Sequence, residues 1–113
     1  MAFDEMLGAR VRSALAGTPG LSERTMFGGL CYLVHGHMCA GIVGSTLMVR
    51  VGAEGHEEAL AHPHVRPMDF TGRPMTGMVF VDPPALASEA GLAEWVGRGA
   101  RYAATLPPKP PRR

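Results

Sequence analysis

Apolar residues at the start of the chain return every three or four positions. Phe3, Met6, Leu7, Val11, Ala14 and Leu15 fall on one stripe, while Arg10 and Arg12 fall off it. This spacing predicts an amphipathic helix, ended near Gly17 by Thr18-Pro19-Gly20. Further along the period changes to two. The runs LCYLV (30–34), HMCAGIV (37–43) and TLMVRV (46–51) are separated by His35-Gly36 and Gly44-Ser45. Two-residue gaps containing glycine suit tight hairpin turns, because glycine accepts positive φ at little cost. Taken literally, these turns set Leu33 opposite Met38, Cys31 opposite Ala40, Ile42 opposite Leu47 and Ala40 opposite Val49. One face of the meander then carries Cys31, Leu33, Met38, Ala40, Ile42, Leu47, Val49 and Val51 and is wholly apolar. The other carries Tyr32, His37, Cys39, Met48 and Arg50 and is mixed, which predicts a half-buried antiparallel sheet.

The remaining pattern is shorter-ranged. Ala53 to Ala61 suits a short helix stopped by His62-Pro63. VRPMDF (65–70) and MTGMVFVD (75–82) read as two further strands around a TGRP turn, with Pro67 demoting the first to an edge. Pro83-Pro84 breaks the run. Ser88 and Glu89 then suit the start of a last helix with the stripe Leu92, Trp95, Val96, Gly99, Tyr102 and Ala103. The paired glycines Gly28-Gly29 lack the spacing of a phosphate loop and predict a bulge or a close crossing of another backbone. The expected fold class is α+β: a mainly antiparallel sheet of about five to six strands, with an N-terminal helix, a short middle helix and a long C-terminal helix. Residues 1–106 form one domain in this reading, and 107–113 (PPKPPRR) a proline-rich, basic, flexible tail.

Composition narrows the class. The 113 residues carry a formal net charge of +1, and Lys109, Arg112 and Arg113 supply three of the eleven basic side chains. Without them eight basic groups face ten acidic ones, a balance of −2, so no broad basic field exists for nucleic acid. Phosphate contacts, if made, fall to Arg10 and Arg12 on the first helix and to Lys109, Arg112 and Arg113 in the tail, and imply weak binding. Asp4 and Glu5 stand where a secretion signal needs positive charge, and no apolar run reaches membrane-spanning length. Two cysteines are too few for a disulfide scaffold, so the expected setting is the reducing cytoplasm.

Candidate chemistry is sparse. Cys31 and Cys39 project to opposite faces in the register above, so they share neither a disulfide nor a metal. Cys31 reads as a small core hydrophobe, and Cys39, beside Tyr32 and Arg50, as the thiol with the better claim to reactivity. His35 with His37, and His62 with His64, diverge rather than converge, and zinc needs three or four ligands. His37 and Cys39 lie two apart on one strand, with Tyr32 near them, but no third ligand accompanies them. Ser13, Ser22, Ser45 and Ser88 sit in no nucleophile elbow. No catalytic residue, no cofactor and no stoichiometric metal are therefore expected. Glu54, Glu57 and Glu58 read as a solvated helix face, and the eight methionines as fillers of the core or as a recognition surface.

The segments RTMFGGLCYLVHGHMCAGIVGSTLMVRV (24–51), MTGMVFVDPPAL and LAEWVGRGARYAATLP resemble the TfoX N-terminal domain, which occurs in TfoX/Sxy competence regulators and in small stand-alone proteins. The resemblance runs from about residue 3 to 106 and is carried most specifically by Arg24, Met26, Phe27, Gly28, Gly29, Tyr32, Gly36, Pro83 and Trp95. Two departures are Arg50, where lysine is common, and Val79-Phe80, where an aromatic pair is common. The resemblance implies an α+β fold and a non-enzymatic regulatory role. Full-length regulators, which carry a second helical domain, act in competence gene activation with the cyclic-AMP receptor protein. The expectation is thus a stand-alone module that binds another protein and forms a possible homodimer. Its candidate surface is the mixed face with Tyr32, His37, Cys39, Met48 and Arg50. The alternatives are a weak nucleic-acid binder, or a binder of a metal or small molecule on that same face.

Overall fold

Asp4 opens the first helix in the computed structural model, which describes residues 4–26, 29–69 and 74–106. Its Oδ1 accepts hydrogen bonds from the backbone N–H groups of Met6 and Leu7 at 3.0 and 3.1 Å. These are two of the donors that a helix start leaves unpaired. Helix α1 (Glu5–Leu15) buries Leu7, Gly8, Val11 and Leu15. The stripe is narrower than the sequence pattern implied. Met6 is 78% exposed, and Ala14 is exposed as well. Phe3 lies outside the described residues.

Six strands follow the predicted order around two more helices. They are β1 (Leu21–Met26), β2 (Gly29–Val34), β3 (His37–Val43), β4 (Thr46–Arg50), β5 (Val65–Asp69) and β6 (Pro74–Val81). They form one antiparallel sheet in the order β1-β2-β3-β4-β6-β5. Pro67, which lacks an N–H, sits on the edge strand β5, where a ladder donor can be spared. The two hairpin turns stand where expected. His35 and Gly36 have φ of 51° and 86°, both positive as a type I′ turn requires, and Gly44 has φ of 59°. Helix α2 (His56–Leu60) is shorter than the span 53–61 read from sequence. A 3-10 turn covers Pro83–Leu86, the stretch where the pattern breaks. Helix α3 (Glu89–Ala104) starts as predicted, with Ser88 Oγ accepting from the Gly91 N–H at 2.9 Å.

One register expectation fails. Leu33 pairs with Met38, but Tyr32 pairs with Ala40 and Cys31 with Gly41, so Cys39 is an extra residue on β3. This bulge shifts β2 by one place against β3, and a one-residue slip moves side chains to the other face. The pairs Ile42 with Leu47 and Ala40 with Val49 hold as expected. The helix-covered side of the sheet therefore holds Leu30, Tyr32, Val34, Cys39, Ala40, Ile42, Leu47, Val49, Val79 and Val81. They pack with Leu7, Val11 and Leu15 of α1 and with Leu92, Trp95, Val96 and Ala103 of α3. Cys31, Met48, Met68 and Met78 form a second cluster on the opposite side, with Met38, Val43 and Phe80 partly buried against it.

Helix α3 lies very close to the sheet. A Cβ at Gly99 would come within 2.1 Å of the Cys39 carbonyl oxygen, so only glycine fits at that crossing. Gly29 makes the close backbone crossing that the paired glycines predicted, since a Cβ there would fall 2.1 Å from the Ile42 carbonyl oxygen.

Candidate functional site

The five residues proposed as one mixed face do not share a face. Tyr32 is fully buried on the helix side, and its hydroxyl donates to the carbonyl oxygen of Gly8 in α1 at 2.8 Å. Burial pushes its pKa up to about 12. Cys39 is likewise fully buried in the helix-side core, and burial pushes its thiol up to about 11. That is the reverse of the electropositive, accessible setting that activates a cysteine. Met48 and Arg50 lie on the opposite face, where Met48 is 1% exposed and Arg50 half-buried. His37 opens β3 opposite Val34 and is half-buried. The bulge at Cys39 is what separates these groups. It had no separate signal in the sequence, because the literal hairpin count was already satisfied.

Cys31 is buried, as expected of a core hydrophobe, but in the methionine cluster rather than under the helices. Burial raises its pKa as well. Among the described residues, no group of three or more His, Cys, Asp and Glu could hold a metal ion.

The arginines expected to meet phosphate are engaged elsewhere. Arg10 donates to Glu89 Oε1 at 2.8 and 2.6 Å and to the Leu86 carbonyl at 2.7 Å, tying α1 to α3. Arg12 forms a two-pronged pair with Glu23 on β1, at 2.7 and 2.8 Å. The carboxylate raises the Arg12 pKa, and Arg12 in turn lowers that of Glu23. Lys109, Arg112 and Arg113 lie outside the described residues.

The motif residues Arg24 and Met26 lie on β1, where Arg24 is exposed, while Phe27 and Gly28 fall outside the described residues. Gly36 makes the first hairpin turn. Trp95 is 5% exposed and anchors α3. The Arg98 guanidinium lies 4.6 Å over its ring, and the His62 ring meets it edge-on at 5.1 Å. Arg98 also pairs with Glu94 on its own helix and with Glu58 on α2, and Glu58 in turn holds His62 at 2.7 Å. Arg98 and His62 together hold the Glu58 carboxyl down at about 2. The spacings Glu58-His62 and Glu94-Arg98 were visible as i,i+4 pairs. Their convergence around Trp95 depends on how α2 docks, which no local pattern encodes.

Beside Arg50 a cavity of about 330 Å³ opens, lined by Met38, Arg50, Gly52, Thr76, Gly77, Met78 and Tyr102. Tyr102 lies 5.5 Å from the Arg50 guanidinium. Its ring rests on Gly52, where a Cβ would approach it to 2.5 Å.

Among the described residues, no helix is long and apolar enough to cross a membrane. Comparison with curated proteins yields no match. The sequence model of one family, described as the TfoX N-terminal domain, matches residues 13–103 and so takes in every strand of the sheet and nearly all of α3. By this match over most of its length, the chain belongs to the TfoX N-terminal domain family.

Proposed function

We propose that the protein is a non-enzymatic regulatory module that works by binding another protein, in transcription or DNA-uptake control. The observation that carries this reading is the asymmetry of the sheet. Helices α1 and α3 cover one face. The opposite face gathers Cys31, Met48, Met68 and Met78, with Met38, Val43 and Phe80 still partly exposed around them. Methionine side chains are flexible and polarisable, and they are enriched where proteins recognise one another. Arg66, held by Asp82, borders this surface 5.0 Å from the Phe80 ring.

The chemistry of the described side chains supports the same view. Both thiols are buried, and four of the arginines are closed by carboxylates. The interaction surface is therefore centred on Met38, Val43, Phe80 and Arg50 rather than on Tyr32 and Cys39.

The test is affinity capture from the native cell at low salt, with wild type and the variants Val43→Glu and Phe80→Ser. A specific protein retained by wild type and lost from both folded variants is the expected result. Capture unaffected by either substitution would place the partner elsewhere. Turnover of a metabolite by the purified chain would overturn the non-enzymatic reading.

A further inference from the structure

Among the described residues three arginines are half-buried: Arg10, Arg50 and Arg98. Two are closed by carboxylates, Arg10 by Glu89, and Arg98 by Glu58 and Glu94. Arg50 forms no ion pair with any described residue, and its guanidinium lies over the Tyr102 ring instead. A partly desolvated guanidinium without a carboxylate is an incomplete arrangement, because burying a charge costs free energy that an anion would offset. Arg50 also lines the cavity of about 330 Å³, whose other walls are Met38, Met78, Thr76, Tyr102 and the backbone of Gly52 and Gly77.

The walls are held independently of any ligand. The Gly77 carbonyl accepts from the N–H groups of Val51 and Gly52 at 2.8 and 3.1 Å. The Gly77 N–H donates to His56 Nδ1 at 3.0 Å. Gly52 and Gly77 have φ of 83° and 92°, which fixes this corner in a conformation other residues rarely adopt. A preformed recess binds at a smaller ordering cost than one that must assemble.

From this geometry we infer that the cavity is a binding site for a small organic monocarboxylate. The carboxylate pairs with the Arg50 guanidinium, and the apolar body lies between Met38, Met78 and Tyr102. One guanidinium fork matches one carboxylate, whereas a phosphate dianion would meet a single cation, since the other polar side chains of the lining, Thr76 and Tyr102, are neutral. The volume falls at the small end of the range for ligand pockets, roughly 300–1,000 Å³, so the ligand is a compact acid. This goes beyond the protein-interaction reading and does not depend on it.

The experiment is a titration of the full ¹⁵N-labelled chain with phenylacetate, followed at the amides of Gly52 and Gly77. 2-Phenylethanol serves as the neutral control and inorganic phosphate as the apolar-free control. Phenylacetate is expected to shift both amides saturably, with a Kd on the order of 1 mM or tighter. The two controls are expected to leave them in place. Arg50→Gln should weaken phenylacetate binding by about tenfold or more, and Arg50→Lys, which keeps a charge without the fork, by less. If Arg50→Gln fails to fold, Met38→Glu supplies a competing carboxylate at the rim and should produce the same loss. An unmoved Gly52 and Gly77, an equal response to 2-phenylethanol, or undiminished binding by folded Arg50→Gln or Met38→Glu would overturn the assignment. Loss of protein capture by Val43→Glu with phenylacetate binding intact would show that carboxylate binding stands without protein binding, although the two share Met38 and Arg50.

Discussion

Tyr32 on β2 reaches across the core and donates its hydroxyl to the carbonyl oxygen of Gly8 on α1, at 2.8 Å. The ring is fully buried, and Gly8 itself is buried beneath it. One side chain thus fills the core between sheet and first helix and sets the height at which α1 docks. Tyr32→Phe keeps the ring and removes the bond, and should cost about 1 kcal/mol. Tyr32→Ala removes the ring as well and should cost about 3–5 kcal/mol. Urea unfolding of the three proteins checks the ordering. Equal stability of wild type and Tyr32→Ala would refute the anchoring role.

Gly99 makes the corresponding contact for α3. Its Cα faces the Cys39 carbonyl so closely that a methyl group would overlap it. Alanine ordinarily favours a helix over glycine by about 1 kcal/mol. At this position the overlap reverses the sign, because α3 must lift from β3 and loosen Trp95 and Val96 together. Gly99→Ala is expected to destabilise by about 1–3 kcal/mol, as overpacking does. Gly97→Ala on the same helix, where the nearest atom is the movable end of Arg101, should be neutral or stabilising. Thermal melts of the pair decide it.

These contacts show which parts of the architecture were written locally. The two hairpin turns, the edge position of Pro67, the Ser88 cap and the α3 stripe each depend on a few neighbouring residues, and each was legible. The bulge at Cys39 was not. A literal count from the His35-Gly36 turn gave an acceptable apolar face, and the slip is forced only by packing Tyr32 against α1 and Gly99 against β3. That one residue moved Tyr32 and Cys39 under the helices and Cys31 to the other side, so the proposed mixed face dissolved. Arg10 and Arg12 were similarly legible as cations but not as bound ones. Their acids, Glu89 and Glu23, lie 79 and 11 positions away in the chain.

Cys39 provides a direct check on the corrected register. A surface thiol could be replaced by alanine with an effect inside about 0.5 kcal/mol. A fully buried one leaves a small cavity in the helix-side core, so Cys39→Ala should cost about 1–2 kcal/mol. The native protein should also resist iodoacetamide at both cysteines, because Cys31 is buried too and both thiols are raised by burial. Modification should follow unfolding. Rapid alkylation of Cys39 under native conditions would place it on the exposed face after all.

Acid should act through three carboxylates. Glu23, Glu58 and Asp82 are held below their ordinary range, chiefly by hydrogen bonds from Arg12, Arg98 and Arg66 respectively. A carboxylate whose folded pKa is depressed binds fewer protons folded than unfolded. Its stabilising contribution is present above the unfolded value, about 4–4.5, and is lost as pH falls through the folded value. For Glu58 that window runs from the ordinary value of 4.5 down to about 2. All three pairs are at least partly exposed and are screened by salt, so each contributes modestly. The melting temperature should therefore be flat from pH 7 to about 5 and decline below it, more steeply at low ionic strength. Arg98→Met breaks the pair with Glu58 and keeps an apolar stem over Trp95, so its melting curve should lose part of the decline between about pH 4 and 2. An unchanged acid profile in Arg98→Met would show that Glu58 is not held by this arginine in solution.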